Sequence, residues 1–238
     1  MSTASTASKR KEQSPLAKGY LLLYNAVLTV GWAVVLLKAS LYAYHGERWD
    51  GRVPGLYDDI RLYLLVFQTA ALLEVVHSAV GLVSSGVMTT LMQVYSRVFI
   101  VWFILEGVSG VSENVGLLLV CLAWGITEVI RYSYYFCALL NRIPYALQWC
   151  RYTFFYALYP LGVLGEMLLY FASLPVIRAR QQWSLAMPNA ANISFNFYYF
   201  LVVTMLLYIP LFPQLYGHMI SLRKKIIGGA ISSEKKRN

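Results

Sequence analysis

The chain has 238 residues, of which 58% are hydrophobic and 13% are charged, whereas about 25% of the residues in an average soluble domain are charged. This composition excludes an ordinary soluble domain and indicates an integral membrane protein. The net charge of +9 does not indicate a nucleic-acid-binding protein, because the basic residues concentrate at the two chain ends, where they flank apolar segments.

The chain begins with a Ser/Thr-rich, basic stretch, residues 1–18, which we predict to be a disordered tail. Six apolar segments follow, each near the roughly 20 residues that a membrane-spanning helix needs. The sequence therefore predicts an all-α integral membrane protein whose six helices form one bundle over residues 19–222, followed by a basic tail over residues 223–238. The predicted spans are residues 20–44, 60–83, 90–108, 115–138, 147–174 and 195–221.

An even number of spans places both termini on one side of the membrane. In this topology the terminal side carries 13 Lys and Arg residues and the opposite side carries 5. Because Lys and Arg are enriched in cytosolic loops, both termini are predicted to be cytosolic. The last four residues, Lys235 to Asn238, match the dilysine signal of cytosolic tails. We therefore expect a multi-pass protein of the endoplasmic reticulum membrane.

Ionisable side chains within the spans need an explanation, since each costs at least about 2.5 kcal/mol near the bilayer centre. One explanation is structural, because buried charges pair with each other and fix how helices pack. The other is functional, and the size of the set favours it. The residues are Glu74, His77, Glu106, Glu128, Arg131 and Glu166.

The fifth span places most of its tyrosines and a glutamate on one helical face, with spacings that alternate between four and three residues. Tyr159 and Glu166 on this face are predicted to lie about 10 Å apart along the helix axis. One substrate can therefore contact both side chains. The face consists of Tyr152, Tyr156, Tyr159, Val163, Glu166 and Tyr170.

A proline and two glycines lie between these two polar residues. Pro160 has no backbone N–H, so the carbonyl of Tyr156 loses its usual helical partner and a kink is favoured there. Gly162 and Gly165 remove side-chain bulk next to the kink, which lets either a neighbouring helix or a ligand approach the backbone. This segment is therefore predicted to support the site around Tyr159 and Glu166.

The pair suits the elimination of water from a 3-hydroxy thioester. A buried carboxylate is a stronger base than one in water and can take the C2 proton, while a nearby phenol protonates the departing C3 hydroxyl. We predict Glu166 as the base and Tyr159 as the proton donor, with the reverse assignment left open. The reaction requires no cofactor and no metal, and the three cysteines, which lack metal-site spacing, are interpreted as packing residues.

The fifth span resembles the Tyr-Pro-x-Gly-x-x-(Gly)-Glu signature of the membrane 3-hydroxyacyl-CoA dehydratases, also called protein tyrosine phosphatase-like A. The similarity extends from about Tyr20 to Leu222, and its other blocks include YLLLYNAVLTVGW, LEVVHSAVG, QVYSRVF, WGITEVIRYSYY and FPQLYGHM. The resemblance implies six helices and dehydration of (3R)-hydroxyacyl-CoA to trans-2-enoyl-CoA in very-long-chain fatty acid elongation. It also implies that Tyr159 and Glu166 are catalytic, and that elongase and reductases are partners.

The older family name suggests a tyrosine phosphatase, which needs a cysteine thiolate and an arginine six residues later. Ser78 stands in place of the cysteine, after His77, and Ser84 stands in place of the arginine. We therefore reject phosphatase activity.

Three arginines are predicted at the cytosolic ends of the third, fourth and fifth spans: Arg97, Arg131 and Arg151. Because the guanidinium group matches phosphate oxygens well, some of them are predicted to hold the phosphates of coenzyme A. Lipid headgroups or helix-end carbonyls are the alternative ligands.

A second function class remains open at this point. Intramembrane charges and helices interrupted by Gly or Pro also occur in transporters, so the chain is alternatively a transporter or a non-catalytic partner of the elongation enzymes. Against a transporter, the first three spans show no repeat in the last three.

Overall fold

The computed structural model describes residues 14–45, 51–83, 85–189 and 192–235, and these residues form helices joined by short connections. Within these ranges no β-strand occurs, only isolated bridges between Arg52 and Asn114 and between Leu185 and Phe195. The predicted all-α fold is therefore confirmed for the described chain. The helices are α1 Pro15–His45, α2 Leu56–Ala70, α3 Leu72–Ala79, α4 Val87–Phe99, a π-helical segment Ile100–Leu105, a 3-10 turn Val111–Glu113, α5 Gly116–Leu139, α6 Tyr145–Thr153, α7 Phe155–Arg180 and α8 Phe197–Lys235.

Five helical segments of the described chain are long and apolar enough to cross a membrane. They are Pro15–His45, Leu56–Ala79, Gly116–Leu139, Phe155–Arg180 and Phe197–Gly228. The third predicted span corresponds only to a shorter apolar helix, Thr90–Leu105, whose length of roughly 24 Å at 1.5 Å per residue falls short of the bilayer core. The prediction of six spans is therefore confirmed at five positions and not at the third.

Helix α5 lies at the centre of the bundle, packed against α1 on one side and α7 on the other, while α2 packs on α1 and α8 on α7. Aromatic and branched side chains such as Trp32, Val35 and Leu118 fill the interior. Many large apolar side chains on the outer faces of α1, α2 and α8 remain exposed, as expected where lipid replaces water. The long central helices thus place polar groups of α5, α7 and α8 in one interior.

Regular helix extends beyond the predicted domain limits at both ends. Helix α1 begins at Pro15, and α8 continues to Lys235, whereas the predicted tails met the domain at residues 19 and 222. Residues 1–13 and the dilysine residues 236–238 lie outside the described chain. At 39 residues, α8 is roughly 58 Å long and exceeds the thickness of a bilayer, and part of it packs against α6.

Candidate active site

Glu166 lies inside the bundle, on the inner face of α7, with only 8% of its surface exposed. The indole N–H of Trp124, on α5, donates a hydrogen bond of 3.2 Å to its Oε1. The hydroxyl of Tyr208, on α8, donates one of 2.5 Å to its Oε2. The carboxylate is therefore held between helices on two sides and does not face lipid.

Tyr159 is half-buried two turns before Glu166 on the same helix. Its ring meets the ring of Phe155 edge-on at 5.8 Å, and its hydroxyl makes no hydrogen bond to any residue that the structure describes. The guanidinium of Arg97 lies 5.6 Å from the ring centroid of Trp124, the residue that donates to Glu166. The phenol hydrogen of Tyr159 is thus available to a ligand.

The carbonyl of Tyr156, predicted to lose its helical partner because of Pro160, has a replacement partner. The hydroxyl of Tyr216, on α8, donates a hydrogen bond of 3.2 Å to this carbonyl. Helix α7 continues through Pro160, and the break between α6 and α7 falls earlier, at Phe154. The freed carbonyl is therefore used for contact with α8, and helix α7 has no break at Pro160.

The two glycines of the segment differ in their surroundings. A Cβ atom on Gly165 would lie 2.9 Å from the carbonyl oxygen of Gly116 and 2.9 Å from Cγ1 of Val120. A Cβ atom on Gly162 would meet its nearest neighbour, Cβ of Ala123, at 3.7 Å, an ordinary contact. Gly165 therefore permits the close packing of α5 on α7, whereas the space beside Gly162 is wider.

A buried charge network lies beside the candidate site. Glu128, only 1% exposed, forms ion pairs with Arg97 and, at 2.5 Å, with Arg131. Arg131 also pairs with Glu74 at 2.9 Å, and Glu74 accepts a hydrogen bond from Tyr132. Arg97 and Arg131, both predicted to bind phosphate, are thus engaged by carboxylates of the bundle.

Arg151 has different surroundings, at the end of α6. Its guanidinium lies 4.5 Å and 4.8 Å from the ring centroids of Tyr134 and Tyr135. Arg223 of α8 lies nearby in the fold, 5.6 Å from the ring centroid of Tyr156 and within a long hydrogen bond, 3.4 Å, of Thr153. Neither arginine has a carboxylate partner within the described residues.

The other polar residues predicted within the spans also have partners. His77 and the hydroxyl of Tyr20 are 2.9 Å apart, while Glu106 accepts hydrogen bonds from Tyr57 and Arg61. These contacts lie on α1, α2, α3 and the segment after the π-helix, so they support the packing explanation for those residues.

Sequence reasoning missed two residues of the site, Trp124 and Tyr208. Trp124 belongs to a block that indicated the family but carried no chemical signal of its own. Tyr208 lies in an apolar stretch, and it meets Glu166 across 42 positions of sequence. Only the packing of α8 against α7 brings these groups together.

Comparison with known proteins finds a matching family model and several sequence relatives. The family model described as protein tyrosine phosphatase-like protein, PTPLA, matches residues 68–229. The chain is 47% identical over 213 residues to the very-long-chain (3R)-3-hydroxyacyl-CoA dehydratase 2 of Homo sapiens, covering 90% of this chain and 82% of that protein. It is 48% identical over 218 residues to the dehydratase hpo-8 of Caenorhabditis elegans, covering 91% and 97%.

A plant relative is more distant. The dehydratase PASTICCINO 2 of Arabidopsis thaliana is 37% identical over 215 residues, covering 90% of this chain and 95% of that protein. No solved structure matches the chain. The family model spans more than half of the chain and the curated relatives match most of it, so this chain belongs to the protein tyrosine phosphatase-like PTPLA family, which includes these very-long-chain (3R)-3-hydroxyacyl-CoA dehydratases.

Proposed function

We propose that this protein removes water from (3R)-3-hydroxyacyl-CoA to give trans-2-enoyl-CoA in very-long-chain fatty acid elongation. The observation that carries the proposal is the Glu166 carboxylate, buried and hydrogen-bonded inside the bundle, with the Tyr159 hydroxyl on the same helix unengaged among the described residues. The relatives that bear this activity in their names match about nine-tenths of the chain. No cofactor takes part.

The hydrogen bonds at Glu166 favour its assignment as the base. Both contacts come from donors, an indole N–H and a phenol O–H, and an ionised carboxylate accepts hydrogen bonds at both oxygens. Such a carboxylate takes the C2 proton, and the electrons of the C–H bond form the C2–C3 double bond as the C3–O bond breaks. Tyr159 gives its proton to the departing hydroxyl, which leaves as water, and proton exchange with solvent then deprotonates Glu166 and reprotonates Tyr159.

The coenzyme A phosphates are proposed to bind near Arg151 and Arg223. Arg97 and Arg131 are paired with the buried Glu128, so a phosphate at either one would have to compete with an ion pair in a low-dielectric interior. Arg151 and Arg223 lie near the start of α7, where aromatic rings flank them. Of the three arginines predicted to bind the coenzyme A phosphates, Arg151 is therefore the one that we retain for this role.

We further propose six spans, with the Thr90–Leu105 helix as the third, both termini in the cytosol and residence in the endoplasmic reticulum membrane. Elongase and reductases of the elongation cycle are the proposed protein partners, and surrounding lipid covers the exposed apolar faces. The competing function is that of a transporter or a non-catalytic assembly partner. Neither function requires a buried acid and an available phenol on the same helix.

Turnover of 3-hydroxyacyl-CoA by the purified chain tests the proposal directly. Tyr159→Phe and Glu166→Gln are each expected to lower kcat by at least about 100-fold, in the range of lost general acid–base catalysis, while the helical content stays unchanged. Arg151→Ala is expected to raise KM with little change in kcat, as loss of uniform binding does. Near-normal turnover by both site variants, or none by the wild-type chain, would contradict the proposed function.

A further inference from the structure

The hydroxyl of Tyr208 binds the proposed base directly, at 2.5 Å from Oε2 of Glu166. We infer that Tyr208 is a positioning residue, which fixes the orientation in which the Glu166 carboxylate meets the C2 proton of the substrate. The inference rests on the proposed function, since it assigns a role to the base of that reaction.

The geometry around the carboxylate supports this role. A glutamate side chain has several rotatable bonds, and its carboxylate turns freely when only one oxygen is held. Here Trp124 holds Oε1 from α5 and Tyr208 holds Oε2 from α8. Donors on different oxygens and from different helices prevent that rotation, and a catalytic group held in its reactive orientation lowers the entropic part of the barrier.

The position of Tyr208 does not depend on this hydrogen bond alone. Its ring packs edge-on against the ring of Tyr170, 6.2 Å away, and Tyr170 is fully buried one turn after Glu166 on α7. The packed ring therefore presents its hydroxyl at a fixed place. A phenylalanine at this position keeps the ring contact and removes only the hydrogen bond.

Tyr208 is not the proton donor to the departing hydroxyl. Its hydrogen is committed to the carboxylate of the base, whereas the hydroxyl of Tyr159 has no partner within the described residues. Tyr208 therefore holds the base, and Tyr159 protonates the leaving group.

The Tyr208→Phe variant tests the inference in the purified full-length chain. We expect kcat to fall by about 10- to 100-fold, the cost of a misplaced catalytic group, with KM within about twofold of the wild-type value. The midpoint of thermal unfolding should stay within a few degrees. Tyr199→Phe is the matched control, because Tyr199 lies on the same helix with 66% of its surface exposed, and wild-type kinetics are expected.

Three results would overturn the inference: an unchanged kcat, a change confined to KM, or a loss of kcat that accompanies a large fall in the unfolding midpoint. The last would make Tyr208 a packing residue. Glu166→Gln, measured in parallel, separates this failure from that of the proposed function. If Glu166→Gln is inactive and Tyr208→Phe matches the wild type, only the positioning role fails; if Glu166→Gln turns over normally, the proposed base is wrong.

Discussion

At the scale of single residues, Glu128 shows why the membrane interior of this protein contains charges outside the proposed chemistry. Its buried carboxylate lies between the guanidinium groups of Arg97 and Arg131, which come from α4 and α5. Arg97 in turn lies 5.6 Å from the Trp124 ring centroid, and the Trp124 indole binds Glu166. The network therefore joins the packing of α4 and α5 to the position of the proposed base on α7.

Removing the charge of Glu128 should destabilise the bundle strongly. Glu128→Gln keeps the side-chain shape but leaves two guanidinium groups with less compensation in a buried site, which typically costs about 3–5 kcal/mol. Thermal unfolding in detergent should show a large decrease in the midpoint.

Glu113→Gln provides the control for that measurement. Glu113 pairs with Arg52 outside the bundle interior, where 41% and 66% of the two side chains are exposed. Exposed ion pairs contribute about 0–1 kcal/mol, so this variant should unfold close to the wild type. Equal effects of the two substitutions would mean that the buried network does not hold the helices together.

At the scale of the helix, α7 is positioned by its contacts with α5 and α8. The side chains of the predicted polar face of α7 differ in exposure: Tyr170 is fully buried, whereas Tyr156 is 40% exposed. The break at Phe154 separates α6 from α7, so the simple periodicity of one straight helix does not extend across the whole predicted face. In the segment from Tyr159 to Tyr170, the predicted face still includes the buried side chains of Glu166 and Tyr170.

The contact between α5 and α7 is expected to depend on Gly165 more than on Gly162. Gly165→Ala would bring a Cβ atom to 2.9 Å from the Gly116 carbonyl oxygen, and such overpacking costs about 1–3 kcal/mol. Gly162→Ala has room at 3.7 Å, so its unfolding midpoint should remain near that of the wild type. A larger loss for Gly162→Ala than for Gly165→Ala would contradict this packing.

The hydrogen bond from Tyr216 to the Tyr156 carbonyl is expected to depend on the proline. Tyr216→Phe removes this exposed hydrogen bond, and a typical intramolecular hydrogen bond contributes about 0.5–1.5 kcal/mol. In a Pro160→Ala background the new N–H of residue 160 can bond the same carbonyl, so the added cost of Tyr216→Phe should shrink. A double-mutant cycle of unfolding midpoints measures this coupling, and strictly additive effects would exclude it.

At the scale of the whole molecule, the number of spans decides on which sides the termini lie. With six spans both termini lie on the same side of the membrane; with the five long helices alone they lie on opposite sides. Protease protection of N- and C-terminal tags in sealed microsomes distinguishes the two arrangements. We expect both tags to be digested without detergent, and protection of one tag would favour five spans.

The sequence determined the membrane class, the helical fold and the family, because these depend on long apolar runs and on blocks of residues that are contiguous in the chain. It also indicated Tyr159 and Glu166, since helical spacing and a contiguous motif bring both to one helix. That the Tyr156 carbonyl loses its helical partner followed from the missing N–H of Pro160. None of these inferences depends on which helices are in contact.

The tertiary structure decided which polar groups meet. Partners separated by 42 residues, such as Trp124 and Tyr208 with Glu166, are brought together by helix packing, which apolar periodicity does not specify. The same holds for Arg97, whose predicted freedom to bind phosphate depends on whether a carboxylate from another helix reaches it, and Glu128 does. Local spacing fixes which side chains share a helix face, whereas interhelical contacts fix what that face binds.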